Sequence, residues 1–244
     1  MKVKFLNIPI DSLTMEQTLH KIDTSIYAKN QIHHVVVNAG KIVMMQKDNE
    51  LEKSVLSADL INADGQSVVW AAKLLGVYIP ERVAGIDLMN NLVNLAHIKG
   101  YKCFFFGAKN DIVKKVVNKY VLQYSKDIIG GYRNGYYSEV DESLIADSIS
   151  KSNAQILFVA ISSPKKEIFL KKYKKKLKNI NFIMGVGGSF DVVAGKVKRA
   201  PFWMQKIGME WFYRFIQEPK RMWKRYFFGN LAFIKLIFKN YFKL

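Results

Sequence analysis

The sequence predicts an α/β fold, with a mostly parallel sheet, helices on both faces and a C-terminal helical appendage. Through the first 190 residues, short apolar runs alternate with amphipathic stretches, which is typical of βαβ units. The handedness of such crossovers places helices on both faces of the sheet. From residue 196, lysines, arginines and bulky aromatics replace this alternation. We therefore expect a core over 1–195 and an appendage over 196–244.

Each element follows from the local pattern of apolar residues. Strands are expected at short runs rich in β-branched or aromatic residues, namely 3–8, 33–38, 58–65, 102–108, 128–137, 155–162 and 181–190. Helices are expected at amphipathic stretches, namely 14–28, 40–57, 66–75, 86–98, 111–124, 141–150 and 164–177. Asp11 or Ser12 is expected to cap the first helix. In the appendage, Glu218-Pro219 is typical of a helix start.

Composition excludes several classes of protein. Half of the 244 residues are apolar and 24% are charged, as in a soluble globular protein with a full core. A single cysteine, Cys103, excludes a disulfide framework and a cysteine-based metal site. The four histidines have no metal-ligand spacing and no D-x-D pair occurs, so we expect no metal. No uncharged stretch reaches the roughly 18 residues of a membrane span, and the N-terminus lacks a secretory apolar run.

The net charge of +18 is concentrated near the C-terminus. Residues 196–244 contain twelve lysines and arginines but only two acids, and 14 of the 32 aromatic residues follow position 201. Bases mixed with aromatics suit a nucleic acid or an anionic membrane surface. Arg221 and Arg225 share one helix face beside a stripe of Met222, Tyr226 and Phe233. The alternative is a basic helical hairpin whose aromatic stripe docks on the core.

Polar residues follow several of the expected strands, at the edge of the sheet where ligands bind. Asp64 could act as a general base, or it could be an ordinary turn aspartate before glycine. Asn38 could orient a sugar hydroxyl, or it could cap the next helix. Gly187 and Gly188 could turn backbone N–H groups toward a diphosphate, or they could form a plain tight turn.

Cationic residues near these loops are candidates for binding anions. Arg82 could clamp a phosphate, or it could pair with Glu81 or Asp87. Lys165 and Lys166 follow a proline that opens a helix, where the helix dipole adds to their attraction for anions.

Five segments together resemble the WecG/TagA/CpsF glycosyltransferase family of bacterial cell-surface polymer synthesis. They are N-A-D-G-x-x-V-V (62–69), E-R-V-A-G-I-D-L (81–88), F-F-G-A (105–108), G-V-G-G-S-F-D-V-V-A-G-K-V-K-R-A-P (185–201) and E-W-F-Y-R-F-I-Q-E-P-K-R-M-W-K-R-Y (210–226). The resemblance implies a Rossmann-like core and a metal-independent, inverting enzyme without a cofactor. Such an enzyme moves an N-acetylmannosamine-type sugar from UDP to an undecaprenyl-diphosphate-linked amino sugar, in teichoic acid or exopolysaccharide synthesis.

The resemblance also assigns roles to residues. Asp64 is the expected base, with Asn38 and Arg82 as further catalytic residues. The expected substrate-binding residues are Gly107, Gly131, Tyr132, Lys165, Lys166, Gly187, Gly188 and Asp191, with Arg214, Arg221 and Arg225 on the lipid diphosphate. Two positions depart from the family pattern: Val36 replaces a common threonine, and Lys166 replaces a sugar-contacting glutamine. A lysine there could favour a uronate or another anionic donor sugar.

The expected partners are a UDP-sugar, a lipid-diphosphate acceptor and the anionic inner face of the cell membrane, to which a cytoplasmic protein would bind peripherally. A homo-oligomer is compatible with the resemblance, and nucleic acid is not an expected partner. The main alternative function is a nucleic-acid-binding module that uses the basic aromatic tail. A nicotinamide-dependent oxidoreductase is a third hypothesis, although G-V-G-G-S-F (185–190) lacks the glycine spacing of a dinucleotide fingerprint.

Overall fold

The computed structural model describes residues 1–242, apart from the side chains at positions 221, 222 and 224–226, and it confirms the α/β fold class. The strands are β1 (Lys2–Phe5), β2 (Ile8–Asp11), β3 (Ile32–Val37), β4 (Leu60–Ala63), β5 (Cys103–Gly107), β6 (Ile129–Arg133), β7 (Ile156–Ala160) and β8 (Phe182–Gly185). Six of them form one parallel sheet in the order β4-β3-β8-β7-β5-β6.

Twelve α-helices are assigned within the described residues. They are α1 (Met15–Tyr27), α2 (Ala39–Met45), α3 (Asn49–Leu56), α4 (Gln66–Leu74), α5 (Gly85–Lys99), α6 (Asn110–Gln123), α7 (Glu142–Ser150), α8 (Lys165–Lys172), α9 (Ser189–Val193), α10 (Phe202–Lys206), α11 (Glu210–Gln217) and α12 (Pro219–Tyr241). Proline occupies the first position of α12, as expected.

Helices cover both faces of the parallel sheet. Successive side chains of a strand point to opposite faces, so each buried strand contributes to an apolar cluster on either side. Phe105 of β5 faces a cluster built with α1, α5, α6 and α9. Its neighbours Phe104 and Phe106 face a second cluster with α7 and α8. On that same side, Val35 and Val37 of β3 pack with α2, α3, α4 and α12.

The predicted single strand at 3–8 is wrong. The chain turns at Leu6 and Asn7, both with left-handed φ values (49° and 66°), so β1 and β2 form an antiparallel hairpin outside the main sheet. The predicted caps of α1 are also wrong. Thr14 caps this helix in a reciprocal capping box with Gln17, while the Asp11 carboxylate accepts a hydrogen bond from the Ile61 N–H.

Two predicted helices differ from the structure, one because it is split and one because it ends early. The segment predicted as one helix over 40–57 is split into α2 and α3, because Asp48 lies outside helical geometry and caps α3 by accepting a hydrogen bond from the Leu51 N–H. Helix α8 ends at Lys172, five residues before the predicted end at 177.

The end of the basic tail packs on the core. Phe233 and Ile237 of α12 are 4% and 6% exposed and belong to the cluster around α2. Phe233 therefore packs on the core, as the alternative for the aromatic stripe predicted. The side chains of Met222 and Tyr226 lie outside the described residues.

The division between 1–195 and 196–244 stays a prediction. Within the described chain, no helix has both the length and the hydropathy needed to cross a bilayer.

Two histidines of β3, the buried His34 and the half-buried His33, make stability depend on pH. Burial lowers the pKa of His34 to about 3 and that of His33 to about 4, from an ordinary 6.5. The unfolded chain binds these protons first, so the stabilisation is complete above pH 6.5. It is lost as pH falls to about 4 for His33 and to about 3 for His34. We expect the free energy of unfolding, measured in urea, to fall below pH 6.5 by up to about 1.4 kcal/mol per pH unit for each histidine.

A control for this prediction is His20→Gln, which replaces an exposed histidine of α1 and should leave the slope unchanged. His34→Leu should flatten the slope whatever its effect on absolute stability. A free energy of unfolding that stays constant from pH 7 to pH 5 would contradict the account.

Candidate active site

The carboxyl ends of β4, β3 and β8 lie side by side at one edge of the sheet. These ends are followed by Asp64, Asn38 and the glycine turn at Gly187 and Gly188. Neighbouring strands are about 4.8 Å apart, so the ends of β4 and β8 are separated by about 10 Å. This spacing leaves room for one extended ligand across the three strand ends.

Asp64 is held in place from a distant part of the chain. Its Oδ1 accepts a hydrogen bond of 2.9 Å from the backbone N–H of Gly85, the first residue of α5. Gly85 lies against Val36 and Met184, so the anchor belongs to the packed end of the sheet. Among the described residues, none donates a hydrogen bond to Oδ2 of the half-buried carboxylate. That oxygen is the one a substrate hydroxyl could reach.

Asn38 caps the next helix, which was the second of its two predicted roles. Its Oδ1 accepts a hydrogen bond of 3.0 Å from the Lys41 N–H at the start of α2. The Asn38 side chain also borders the Asp64 turn, because a Cβ placed on Gly65 would lie 3.4 Å from the Asn38 Cβ. The capping bond fixes the side chain through its oxygen, and Asn38 follows the same register position on β3 as Asp64 does on the neighbouring β4.

The partner of Arg82 is neither Glu81 nor Asp87, so that expectation is wrong. Arg82 Nη1 donates to Glu210 Oε2 of α11 at 2.9 Å. Glu81 instead accepts from a backbone N–H of α1, and Asp87 accepts from Arg199, with Nη2 and Oδ2 2.7 Å apart. Arg199 Nε also lies 3.5 Å from Glu210 Oε1. This chain of charges ties α11 to the edge of the sheet that carries Asp64.

The glycine turn is partly open and partly covered by a cation. Gly187 has a left-handed φ of 51° and nothing within 4 Å of a Cβ placed on it. At Gly188, such a Cβ would lie 2.6 Å from Nη2 of Arg214. Arg214 is one helical turn after Glu210, so both side chains share the inward face of α11. The side chains of Arg221 and Arg225 lie outside the described residues.

The two lysines of α8 are engaged by other groups. Lys165 Nζ donates to the Tyr137 carbonyl at 3.1 Å and lies 3.7 Å from the centre of the Tyr137 ring. Lys166 is 7% exposed, and its Nζ is 3.1 Å from Glu167 Oε1. Burial raises the pKa of Glu167, but the Lys166 ammonium and a hydrogen bond from Ser163 together bring it below its usual value. The carboxylate therefore stays ionised and neutralises Lys166.

The strand that carries the expected binding residues Gly131 and Tyr132, β6, lies far from Asp64. This strand is at the opposite edge of the sheet from β4, five strand spacings or about 24 Å away. Gly131 and Tyr132 lie within β6, with Tyr132 paired to Phe105, rather than after its end. Gly107 is buried, and a Cβ on it would collide with the Ala160 carbonyl. Asp191 lies in α9 after the glycine turn, 3.2 Å from Lys196 Nζ.

A separate cavity of about 620 Å³ lies at the seam between the core and α11. Three cationic side chains, Lys119, Lys198 and Arg199, contribute to its wall, and Tyr213 of α11 also lines it. Asp64 does not line it. In the part of the chain that the structure describes, no cluster of three histidine, cysteine or acidic side chains is placed to hold a metal ion.

Comparison with known proteins agrees with the resemblance seen in the sequence. The model of the glycosyl transferase WecG/TagA/CpsF family matches residues 3–244. The chain belongs to this family. A relative from Bacillus subtilis (strain 168) is 39% identical over 179 residues, covering 73% of this chain and 68% of the relative. A relative from Bacillus spizizenii is 33% identical over 228 residues, covering 92% of this chain and 87% of the relative. Both are named N-acetylglucosaminyldiphosphoundecaprenol N-acetyl-beta-D-mannosaminyltransferase.

Sequence reasoning about this glycosyltransferase missed the role of Glu210. The residue appeared only as part of the 210–226 motif, although a signal for it was present. Glu210 is one of two acids in a segment with twelve lysines and arginines, and such an isolated acid favours an internal ion pair. Its partners Arg82 and Arg199 could not be identified from spacing, because Arg82 is 128 residues away.

Replacing Glu210 with glutamine is expected to lower kcat/KM of this glycosyltransferase about tenfold. The loss corresponds to about 1.4 kcal/mol, which is the size of a hydrogen bond to a charged group. Glutamine keeps the shape but loses the charge that holds Arg82 and Arg199. Glu50→Gln is the control, because Glu50 forms ion pairs at 72% exposure far from this edge. Equal kcat/KM for wild type and Glu210→Gln would show that the ion pair does not position Arg82.

Proposed function

We propose that this protein is an inverting, metal-independent glycosyltransferase that moves N-acetylmannosamine from UDP to a lipid-linked amino sugar. The acceptor is N-acetylglucosamine on undecaprenyl diphosphate, which is the acceptor named for both Bacillus relatives. The product would enter teichoic acid or a related surface polymer. The observation that carries the proposal is the anchored Asp64 carboxylate beside Asn38, two strands away from a glycine turn capped by Arg214.

In this mechanism Asp64 is the general base. It takes the proton from the acceptor hydroxyl as the hydroxyl oxygen attacks the anomeric carbon of the donor. The new C–O bond forms while the bond between that carbon and the β-phosphate oxygen of UDP breaks, and the oxygen keeps the electron pair. One displacement inverts the anomeric configuration, so no covalent nucleophile is needed. The Gly85 N–H holds one oxygen of Asp64 and directs the other toward the acceptor.

The leaving diphosphate needs positive charge and hydrogen-bond donors. The glycine turn offers backbone N–H groups, and Arg214 places its guanidinium against Gly188. Arg82 is held at the same edge of the sheet by Glu210. These fixed cations support a reaction in which side chains, rather than a divalent ion, stabilise the departing UDP.

The environment of Lys166 favours a neutral donor sugar over a uronate. An anionic sugar would need a cation to receive it, but the Lys166 ammonium is buried and paired with Glu167. We therefore propose UDP-N-acetylmannosamine as the donor. In this proposal, the lysine that replaces the family's glutamine has a structural role. Its side chain packs against Gly185, where an added Cβ would lie 2.8 Å from Lys166 Cε.

We also propose that the protein binds peripherally to the inner face of the membrane. Among the residues after position 201, exposed aromatics include Phe202, Trp203, Phe227, Phe228 and Phe238. They are interspersed with lysines and arginines, and each base near an anionic surface contributes about 1 kcal/mol. Peripheral binding would bring the enzyme to a membrane-embedded acceptor.

The test is UDP release with purified enzyme and a synthetic N-acetylglucosamine diphosphate lipid as acceptor. UDP-N-acetylmannosamine should support turnover that depends on the acceptor and persists in EDTA. The corresponding UDP-uronate should react at least about tenfold more slowly. Faster turnover with the uronate would overturn the donor assignment, and absence of transfer with all UDP-sugars would overturn the proposed function.

A further inference from the structure

Helix α4 of the core presents an apolar face to solvent. Its residues Val68, Ala71 and Ala72 are buried against the sheet. On the other side, Trp70 and Leu74 are 54% and 51% exposed. Single exposed apolar residues are ordinary on protein surfaces, so what adjoins this face decides whether it marks an interaction site.

This face is continuous with the appendage. The indole of Trp70 packs on Gly208, between α10 and α11, where an added Cβ would lie 2.9 Å from Trp70 Cη2. Gln66 of α4 lines the same contact, at 3.0 Å from that Cβ position. Trp203 and Ile207, which precede this turn, are themselves 62% and 52% exposed. Trp70 therefore meets the appendage next to the exposed Trp203 and Ile207 in sequence.

The charge around this surface suits an anionic partner. Residues 65–80 contain no acid and one base, the exposed Lys73. The appendage has two acids, and both have interaction partners, which for Glu210 include Arg82. Repulsion of anionic headgroups from this side is therefore weak.

We propose that α4 is part of the membrane-docking surface, with Trp70 and Leu74 in the interfacial layer of an anionic bilayer and Lys73 at the level of the phosphates. The inference rests on the peripheral membrane binding proposed above and extends it from the appendage to the catalytic core. Helix α4 begins two residues after Asp64, and Trp70 is about 6 Å along its axis from Gln66. Docking through α4 would therefore hold Asp64 at a fixed height above the headgroups, where the acceptor sugar emerges.

The test uses a variant in which Trp70 is the only tryptophan, made by Trp203→Phe, Trp211→Phe and Trp223→Phe. It is mixed with phosphatidylglycerol vesicles that carry spin-labelled lipids at shallow and deep positions, and binding is followed by sedimentation. Trp70 fluorescence should shift to the blue and be quenched more strongly by the shallow label. If the protein sediments with the vesicles but its Trp70 fluorescence is not quenched, the inference is overturned. The exposed face of α4 would then be a candidate site for a protein partner. Failure of the wild type to sediment would overturn the membrane proposal as well.

A second measurement compares matched surface substitutions in the full-length protein. The double variant Trp70→Ser/Leu74→Ser should bind the same vesicles about tenfold more weakly, because it removes apolar area from the interface. The control is Leu122→Ser/Leu144→Ser, which removes leucines 89% and 71% exposed on α6 and α7. Equal binding by the two double variants would count against docking through α4.

Discussion

Asp64→Asn is expected to lower the rate of sugar transfer about 10³-fold, the typical contribution of a positioned general base. Asparagine can still accept the Gly85 N–H through its Oδ1, so the local structure should persist. Its amide cannot take the proton from the acceptor hydroxyl. The measurement is kcat for UDP release at saturating donor and acceptor, together with the thermal unfolding midpoint.

The matched control is Asp127→Asn, which removes an exposed carboxylate next to β6, at the opposite edge of the sheet. This variant should transfer sugar at the wild-type rate. The Asp64→Asn enzyme should keep the wild-type affinity for UDP and the same unfolding midpoint. If it transferred sugar at an undiminished rate, Asp64 would not be the base.

Phe233→Ala is expected to lower the free energy of unfolding by about 3–5 kcal/mol, the range for large-to-small changes at buried phenylalanines. Phe233 lies in the basic tail but is only 4% exposed, in the cluster shared by α2, β3 and β4. Removing its ring leaves a cavity under α12. Urea unfolding at pH 7.5, where His33 and His34 are both neutral, gives the measurement.

Phe238→Ala on the same helix provides the control, because Phe238 is 52% exposed. It should change stability by less than about 0.5 kcal/mol. A large loss of unfolding free energy for Phe233→Ala and a small one for Phe238→Ala would show that α12 packs as part of the folded core. Equal and small effects of the two substitutions would show that α12 does not contribute to the folded core.

Local patterns predicted the elements of the main sheet because its strands are buried runs such as Cys103–Gly107, which leave little ambiguity. They failed at the N-terminus, where the turn depends on left-handed backbone at Leu6 and Asn7 rather than on a glycine or proline. They also failed at the cap of α1, where several polar residues compete and the capping box selects Thr14.

The candidate site was predictable in part for a similar reason. Parallel strands place their carboxyl ends at one edge, so Asp64, Asn38 and the glycine turn were expected at the same edge. The order of the strands is set by tertiary packing, which is why the separation of β6 from β4 was not foreseen. The partner of Arg82 was missed because Glu210 reaches it from the appendage.

The central claim is that one pocket combines the Asp64 carboxylate with a diphosphate site formed by the glycine turn and Arg214. A crystal structure of the enzyme with UDP tests it most directly. The account predicts the diphosphate within hydrogen-bond distance of the Gly187 or Gly188 N–H and of the Arg214 guanidinium, with its β-phosphate facing Asp64. A diphosphate bound instead in the 620 Å³ cavity beside Lys119 and Lys198 would contradict it.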